Sequence, residues 1–416
     1  MTLPFDPDWD RLCMPRLGVA ALTRMAFEGR DLYPLWVELM EKVTDDAPGA
    51  GLGMDLSVIA QLRGDKKTGL AIQRDSLLLH QAFQVKDARQ RDIQQKRDIP
   101  QKPPLRVLAL AAASDLGANT PVDFLLAGSD VSLATLYLGP EVPLPAAIPD
   151  HDVAIVAAPA SEEGALAAIQ SLTRRWNRPV LNAPACIRGL ERDILYRNLS
   201  GVEGLVIPPT LRVERAQLLQ GLPADLGLNF PIIIRPLGSH AGFGLAKIES
   251  GEGLDAYLKE RTEDDFFLSP FIDYASSDGQ FRKYRVALVG GAPFPVHMAV
   301  CEEWKVWYLN ADMALSAANR AEEARFLLAF DETFGARHAH ALAQMAARIG
   351  LDYVLIDCAQ TRDGQLLVFE ADHCAIVHDM DPVNVYPYKP GAMHKLFGAF
   401  AAMLKDKAGQ ARIEAA

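Results

Sequence analysis

The chain has 416 residues and a formal net charge of -11, and half of its residues are apolar. A length of this kind corresponds to two or three domains, and the apolar content excludes a mostly disordered protein. The acidic balance argues against a nucleic-acid or anionic-membrane partner, because both need a basic surface. Five scattered cysteines without a C-x-x-C pair indicate neither a disulfide framework nor a zinc site.

The sequence also predicts a cytoplasmic, soluble protein. No apolar run approaches the roughly 18 residues that a membrane-spanning helix needs. The first residues, MTLPFDPDWD, are acidic and interrupted by prolines, whereas a secretory signal is basic and then apolar.

Helical periodicity dominates the chain from residue 20 to about residue 84. Apolar residues recur at helical spacing in LYPLWVELMEKV and MDLSVIAQL, and the breaker cluster DDAPGAGLG separates the two stretches. We therefore expect two or more antiparallel helices. The polar, charge-mixed segment 86–104 ends in two prolines and is typical of a linker or of the solvated end of a helix. A first region of residues 1–102, with a domain boundary near residue 103, follows.

Residues 103–199 have a different pattern, in which short apolar strands alternate with helical stretches. Strands are predicted at LRVLALAA, VSLATLYL, HDVAIVAAP and PVLNAP, with a helix through EEGALAAIQSLTRRW. Alternation of this kind favours a parallel, doubly wound sheet. We therefore expect a small α/β domain.

From about residue 200 to residue 408 the strands occur as hairpins. YRVALVGGAPFPVHMAV folds about Gly290 and Gly291, and YVLIDCAQTRDGQLLVFEAD folds about Asp363 and Gly364. This pattern predicts antiparallel sheet with flanking helices, an α+β domain. Residues 409–416 form a C-terminal tail.

The second hairpin opposes two carboxylates. With a two-residue turn at residues 363–364, Arg362 lies opposite Gln365 and Asp357 lies opposite Glu370. Carboxylates facing each other at about 5 Å between Cβ atoms destabilise a sheet unless something neutralises them.

A third carboxylate joins this pair, because period-two alternation places Asp372 on the same face as Glu370. A hard divalent cation fits three carboxylates, and Mg²⁺ is usually held by one or two of them together with substrate phosphates. Compensation by Arg or Lys partners is the alternative. The neighbouring apolar side chains argue against a merely solvated acidic rim.

The stretch FPIIIRPLGSHAGFGLAKIES joins an apolar strand to a glycine-rich loop. Closely spaced glycines let backbone N–H groups converge on an anion, so phosphate binding is one interpretation. An ordinary hairpin turn is the other, because the loop matches neither of the two commonest nucleotide fingerprints.

Three basic residues follow in GQFRKYRVALVGG. Lys283 and Arg285 share one strand face and Arg282 lies on the other. Exposed strand charge is one explanation of this cluster. Stabilisation of a transferred phosphoryl group is the second, because phosphoryl transfer needs preorganised cations.

From residue 104 to residue 408 the order of these elements resembles the ATP-grasp superfamily, typified by D-alanine:D-alanine ligase and the ribosomal-protein glutamate ligases. The resemblance implies an ATP-grasp fold preceded by a small parallel α/β domain and an N-terminal helical segment. It implies a nucleotide site whose residues are Arg192, Arg235, Gly238, Ser239, His240, Gly242, Gly244, Leu268, Phe271 and Asp273. In that site the two arginines and the glycine-rich loop meet the phosphates. The segment LSPFID meets adenine through its backbone, and Asp273 meets the ribose.

The same resemblance assigns the metal and the catalytic cations. Asp357, Glu370 and Asp372 match the magnesium triad of Asp, Glu and Asn, with Asp in place of Asn at the third position. The ion expected is Mg²⁺, as one or two ions, or Mn²⁺. Lys283, Arg285 and Arg282 are the candidate catalytic residues. Arginines occupy both positions at which the family has phosphate-binding lysines, and arginine hydrogen-bonds phosphate differently from lysine.

The function implied is an ATP-dependent, ADP-forming ligase that joins a carboxylate to an amine through an acyl phosphate, giving an amide or peptide bond. A small-molecule kinase of the same fold and a non-catalytic nucleotide-binding scaffold are the alternatives. The N-terminal helices resemble tetratricopeptide-type helical pairs, which implies a docking surface for a protein or peptide. The partners implied are ATP, a small-molecule or peptide carboxylate, an amine and a second copy of the chain in a homodimer, without nucleic acid or membrane.

Overall fold

The computed structural model describes residues 3–85, 104–223, 227–239, 242–307 and 310–414, without the side chains of residues 412 and 414. The chain divides into two compact units. The first contains Met1–Ile187, Leu351–Val354 and His373–Ala416, and the second contains Arg188–Gly350 and Leu355–Asp372. None of the described helices combines the length and the apolar character needed to cross a bilayer.

Five helices open the described part of the first unit: α1 (Trp9–Leu12), α2 (Val19–Phe27), α3 (Tyr33–Lys42), α4 (Ala47–Leu62) and α5 (Lys66–Leu79). Aspartates start the two longest of them, because the side chain of Asp46 accepts from the N–H of Gly49 and that of Asp65 from the N–H of Thr68. Helix α4 is buried along most of its length and packs against α2, α3 and α5. The predicted helices are confirmed, whereas the tetratricopeptide resemblance is not.

A six-stranded sheet forms the centre of the first unit. Its strands, in their order across the sheet, are β2 (Met14–Arg16), β3 (Ala82–Val85), β5 (Ser132–Leu138), β4 (Arg106–Ala112), β7 (Val153–Val156) and β8 (Val180–Leu181). A separate parallel pair joins β1 (Phe5–Asp6) to β6 (Ile148–Pro149). Strand β4 runs parallel to β5 and β7, and β7 runs parallel to β8, as the alternating pattern predicted. Helices α6 (Val122–Leu125), α7 (Glu163–Thr173) and α8 (Pro184–Arg188) follow these strands.

The N-terminal region shares this sheet with the predicted α/β domain. Strand β2 pairs with β3, and β3 pairs antiparallel with β5. The linker predicted at residues 86–104 falls mainly outside the described residues. The strands before and after it nevertheless belong to one sheet, so the division of the described chain differs from a boundary near residue 103.

The second unit contains two sheets. The first has four strands in the order β10 (Leu211–Glu214), β13 (Asp265–Pro270), β11 (Ile232–Pro236), β12 (Ala246–Ile248), and every pairing in it is antiparallel. Helices α9 (Arg192–Leu199), α10 (Arg215–Leu218) and α11 (Gly251–Glu260) belong to the same part of the chain. Alternate residues of β11, Ile232 and Ile234, are fully buried in a core with Leu268 of β13. The apolar run of the sequence is thus explained by one buried face.

The second sheet has five strands in the order β15 (Ala292–Cys301), β14 (Phe281–Val289), β16 (Tyr353–Gln360), β17 (Leu366–Asp372), β9 (Leu205–Val206). Helices α12 (Ala317–Leu328), α13 (Phe334–Arg337) and α14 (Ala339–Ile349) lie between its hairpins in the chain. Gly290 and Gly291 connect β14 to β15 with φ angles of 57° and 84°, the left-handed values that a two-residue turn of this kind requires. Both predicted hairpins are present, which confirms the α+β pattern.

Helix α15 (Lys389–Glu414) completes the first unit. Its Phe400 is fully buried and packs edge to face on Tyr353, with ring centroids 5.2 Å apart. The fold as a whole is therefore the mixed α/β and α+β arrangement that the sequence predicted.

Candidate functional site

The β16–β17 hairpin places Asp357 directly opposite Glu370, as predicted. The connection differs from the prediction, because Thr361, not Arg362, pairs with Gln365 through an N–H to carbonyl hydrogen bond of 3.0 Å. A bulge between Asp357 and the next residue shifts the register by one and restores the predicted pairing. The two carboxylates therefore face each other for a different reason from the one that the turn suggested.

Asp357 is buried and bound by two cations of the neighbouring strand β14. Arg285 donates from Nε and Nη2 at 2.6 and 2.9 Å, and the Nζ of Lys283 lies 2.7 Å from the carboxylate. Burial alone would raise the pKa of Asp357, but Arg285 and Lys283 outweigh it and hold this pKa well below its usual range. The prediction that Lys283 and Arg285 share one face of their strand is confirmed.

Glu370 is contacted by the two arginines that the sequence assigned to phosphate. The Nη2 of Arg192 donates to its Oε2, and the Nη1 of Arg235 lies 3.9 Å from the same oxygen. Burial would raise the pKa of Glu370, but Arg192 and the other nearby cations lower it to about 2. Arg235 is itself only 8% exposed, and burial together with repulsion from Arg192 lowers its pKa to about 10.

These contacts join the two sheets of the second unit, since Arg235 ends β11 in one sheet and Glu370 lies on β17 in the other. Burial would lower the pKa of Arg285, but the nearby carboxylates of Asp357, Glu370 and Asp372 raise it above its usual value. We call these seven residues the charge cluster: Arg192, Arg235, Lys283, Arg285, Asp357, Glu370 and Asp372. Four positive and three negative side chains leave it with one net positive charge.

The carboxylates of the charge cluster offer the hard oxygen ligands that Mg²⁺ prefers. The surrounding cations already contact Asp357 and Glu370. The net positive charge opposes a divalent cation that arrives alone. The donor set therefore fits a divalent cation that is accompanied by an anionic ligand.

The glycine-rich loop connects β11 to β12, so it is a hairpin connection as well as a candidate phosphate loop. Gly238, Gly242 and Gly244 have φ angles of 69°, 72° and 63°, which residues with a Cβ atom rarely adopt. Ser239 accepts a hydrogen bond from the Nε of Arg235 at 3.1 Å, and its carbonyl oxygen accepts another from Nη2. The predicted His240 lies outside the described residues. Arg235 and the loop thus form one connected structure.

Lys305 fastens the far end of this loop. Its Nζ donates to the carbonyl oxygens of Gly242 and Leu245 at 3.1 and 3.2 Å. No motif in the sequence pointed to Lys305, because it lies 60 residues or more from both carbonyl groups.

A cavity of about 660 Å³ lies beside the start of strand β11. It is lined by Pro231, Lys247, Phe271, Asp273, Phe281, Glu302, Glu303 and Trp304. The ring of Phe271 packs edge to face on Trp304 with centroids 5.8 Å apart, and the Nζ of Lys247 lies 4.2 Å from the centre of the Phe271 ring. Pro231 precedes Arg235 by four residues, roughly 13 Å along an extended strand. An aromatic cavity and a cationic cluster thus lie at two points of one strand.

Three predicted site residues need separate description. Asp273 lines the cavity, and its carboxylate pairs with Arg362 at 2.8 Å. The side chain of Leu268 is fully buried in the four-stranded sheet and does not line the cavity. Arg282 is not part of the charge cluster, because it pairs with Asp278 and Glu322 at 2.8 and 2.7 Å.

Arg212 was missed by the sequence analysis. Its Nη2 lies 3.1 Å from Glu191 and 3.0 Å from Asp193, the two residues that flank Arg192. The guanidinium also stacks over Phe267, 5.3 Å from the ring centre. Arg212 therefore fixes the start of helix α9, and only the fold brings these segments together.

Comparison with known proteins gives structural likeness alone. No family model matches the chain, and no curated protein matches it in sequence. A RimK domain ATP-grasp protein from Sphaerobacter thermophilus is 17% identical with a TM-score of 0.44, covering 72% of this chain and 99% of its own. The D-alanine–D-alanine ligase from Bacillus anthracis, complexed with ATP, is 13% identical with a TM-score of 0.48, covering 76% and 100%. The VanG D-Ala:D-Ser ligase from Enterococcus faecalis is 13% identical with a TM-score of 0.44, covering 74% and 100%.

Proposed function

We propose that the protein is an ATP-dependent ligase of the ATP-grasp type, which joins a carboxylate to an amine through an acyl phosphate and forms ADP. The observation that carries this proposal is the charge cluster, in which four cations and three carboxylates meet beside a glycine-rich loop and an aromatic cavity. A cluster of this composition suits a highly charged anion, because its positive charge exceeds its negative charge by one.

In this proposal the nucleotide extends along strand β11. Its base enters the cavity next to Phe271 and Trp304, and its ribose meets Asp273. Its phosphates reach Arg235 and Arg192, under the loop that Lys305 holds at Gly242. Leu268, whose side chain is buried in the sheet, would meet the base through its backbone.

The transfer would then need two chemical steps. A carboxylate oxygen of the substrate attacks the γ-phosphorus, and the bond to the β-phosphate oxygen breaks to release ADP. The amine nitrogen next attacks the acyl carbon, phosphate leaves with the former carboxylate oxygen, and the amine loses a proton. The product is an amide, and the sum is loss of one water between acid and amine.

The residues of the chain would contribute charge, position and exclusion of water. Lys283 and Arg285 are held by Asp357 and can stabilise charge that develops on the transferred phosphoryl group. The glycine-rich loop would keep water from the acyl phosphate. Asp357, Glu370 and Asp372 would hold Mg²⁺ or Mn²⁺, which when bound neutralises phosphate charge.

A non-catalytic nucleotide-binding scaffold is the second candidate. The observation in its favour is the close pairing of Asp357 and Glu370 with cations, which would keep both carboxylates from a metal. The two candidates differ in one respect: a ligase consumes ATP when both an acid and an amine are present, and a scaffold binds ATP without consuming it.

Calorimetric titration with a non-hydrolysable ATP analogue tests the nucleotide site. Arg235 would make charge-assisted contacts worth roughly 1.5 to 3 kcal/mol each, so Arg235→Ala should weaken binding by at least about tenfold. Arg235→Lys keeps the charge and should lose much less. Arg325→Ala, which removes an exposed arginine from helix α12 of the same unit, is the matched control and should bind as the parent does. Parental affinity in Arg235→Ala would rule out phosphate at the end of β11.

A further inference from the structure

Arg192 contacts a proposed metal ligand and is itself a proposed phosphate ligand. Its Nη2 donates to Oε2 of Glu370, and its Nη1 donates to the carbonyl oxygen of Phe369 at 3.4 Å. Both groups belong to one short stretch of β17, so the guanidinium lies across the carboxylate that a metal would need. Arg235 approaches the same oxygen at 3.9 Å but is tied to Ser239 of the loop.

Arg192 is the first residue of helix α9, and its side chain is 18% exposed with the guanidinium on Glu370. Arg212 pairs with Glu191 and Asp193 on either side of it, at 3.1 and 3.0 Å. The guanidinium of Arg212 also stacks on Phe267 of strand β13, which further restrains Arg212. A change of partner for Arg192 therefore requires rotation about side-chain bonds and no movement of helix α9.

The charges of the cluster favour such a change when phosphate arrives. Without an anion, a divalent cation meets a net positive cluster and must compete with a guanidinium for Glu370. With the phosphates of a nucleotide present, Arg192 gains a more highly charged partner. A guanidinium forms bidentate hydrogen bonds with phosphate as readily as with carboxylate. Removal of Arg192 from Glu370 then exposes the carboxylate to the metal.

We propose that Arg192 covers Glu370 until the phosphates of a nucleotide draw it away, so that the divalent cation binds after the nucleotide and not before it. This inference rests on the proposed nucleotide site. It gives Arg192 a second role, control over the order of binding, in addition to contact with phosphate.

Binding of Mn²⁺, measured by electron paramagnetic resonance as loss of the free-ion signal, tests the order directly. The nucleotide-free protein should bind Mn²⁺ at least about tenfold more weakly than the protein saturated with a non-hydrolysable ATP analogue. A sample of analogue without protein corrects for metal held by the analogue alone. Equal Mn²⁺ affinity with and without the analogue would overturn the proposal, and this comparison needs no substitution.

Substitution tests the part played by Arg192. Arg192→Gln keeps much of the length and removes the charge, so the nucleotide-free variant should bind Mn²⁺ at least about tenfold more tightly than the parent. Arg197→Gln is the matched control, because Arg197 lies on the same helix, is 65% exposed and pairs only loosely with Asp193 at 3.5 Å. It should behave as the parent does. The double variant that combines Arg192→Gln with Glu370→Gln should lose the gain in Mn²⁺ affinity that Arg192→Gln alone shows.

An Arg192→Gln variant that folds and binds Mn²⁺ no better than the parent would also overturn the proposal. Nucleotide affinity, measured separately in excess chelator, distinguishes this failure from failure of the proposed function. If the parent binds no nucleotide, the proposed function is wrong. If it binds nucleotide while Mn²⁺ binding is independent of Arg192, only the present inference is wrong.

Discussion

Asp357→Asn should destabilise the second unit strongly, because it removes the buried carboxylate that both Lys283 and Arg285 contact. The carboxylate is 3% exposed and contacts Lys283 and Arg285 at 2.6 to 2.9 Å. Removing one partner of a buried ion pair costs about 3 to 5 kcal/mol. The two cations are 21% and 19% exposed, and water screens them in part, so we expect the lower value, about 3 kcal/mol.

Urea titration followed by tryptophan fluorescence measures this loss, since Trp304 and Trp307 both lie in the second unit. With a slope of about 2 kcal/mol/M, a loss of about 3 kcal/mol lowers the midpoint by about 1.5 M. Asp273→Asn is the matched control, because its ion pair with Arg362 is 48% and 66% exposed and should contribute less than about 1 kcal/mol. A midpoint for Asp357→Asn equal to that of the parent, or a loss in Asp273→Asn of the same size, would refute the reasoning.

Three further predictions concern the loop, acid stability and the N-terminal region. Lys305→Met should speed hydrogen exchange of the amides at residues 242–245 by about tenfold and lower turnover with little change in nucleotide affinity, whereas the exposed Lys259→Met should do neither. Burial lowers the pKa of His151 to about 4, so the unfolded chain takes up a proton that the folded protein does not, and the free energy of unfolding should fall as pH drops from about 6.5 to 4. His151 accounts for about 2 kcal/mol of this loss at pH 5. In urea titrations at pH 7 and pH 5, the free energy of unfolding should therefore fall less in His151→Phe than in the parent. An equal fall in both proteins would contradict the role of His151. Deleting residues 1–102 removes strands β2 and β3 from the six-stranded sheet, so we expect aggregation or partial unfolding in circular dichroism and gel filtration; a folded protein that loses only peptide-substrate use would support a docking role instead.

The sequence predicted the parts of the fold that depend on local pattern. The parallel strands after residue 104 and the Gly290-Gly291 hairpin follow from periodicity and turn chemistry, and both are confirmed. The pairing of Asp357 with Glu370 is a more instructive case. The predicted two-residue turn is wrong by one position, and a bulge compensates for the error, because the side-chain alternation that buries Asp357 also determines the register.

Non-local pairing limited the rest of the prediction. Strand β3 precedes the predicted linker and pairs with β5, about 50 residues later, and no local pattern reveals such a partner. The same limit applies to Lys305 and Arg212, whose contacts depend on the folded arrangement of distant segments. The side chain of Leu268 lies in the core, and contact of its backbone with adenine stays a prediction.

A mass balance of substrates and products tests the identity of the reaction most directly. ATP is incubated with the protein, Mg²⁺ and a mixture of amino acids and short peptides, and the products are analysed by mass spectrometry. The proposed function predicts a product equal to one acid plus one amine less one water, with one ADP and one phosphate released for each product formed. A stable phosphorylated metabolite that forms without an amine, or ATP that is bound and never consumed across the whole mixture, would contradict it.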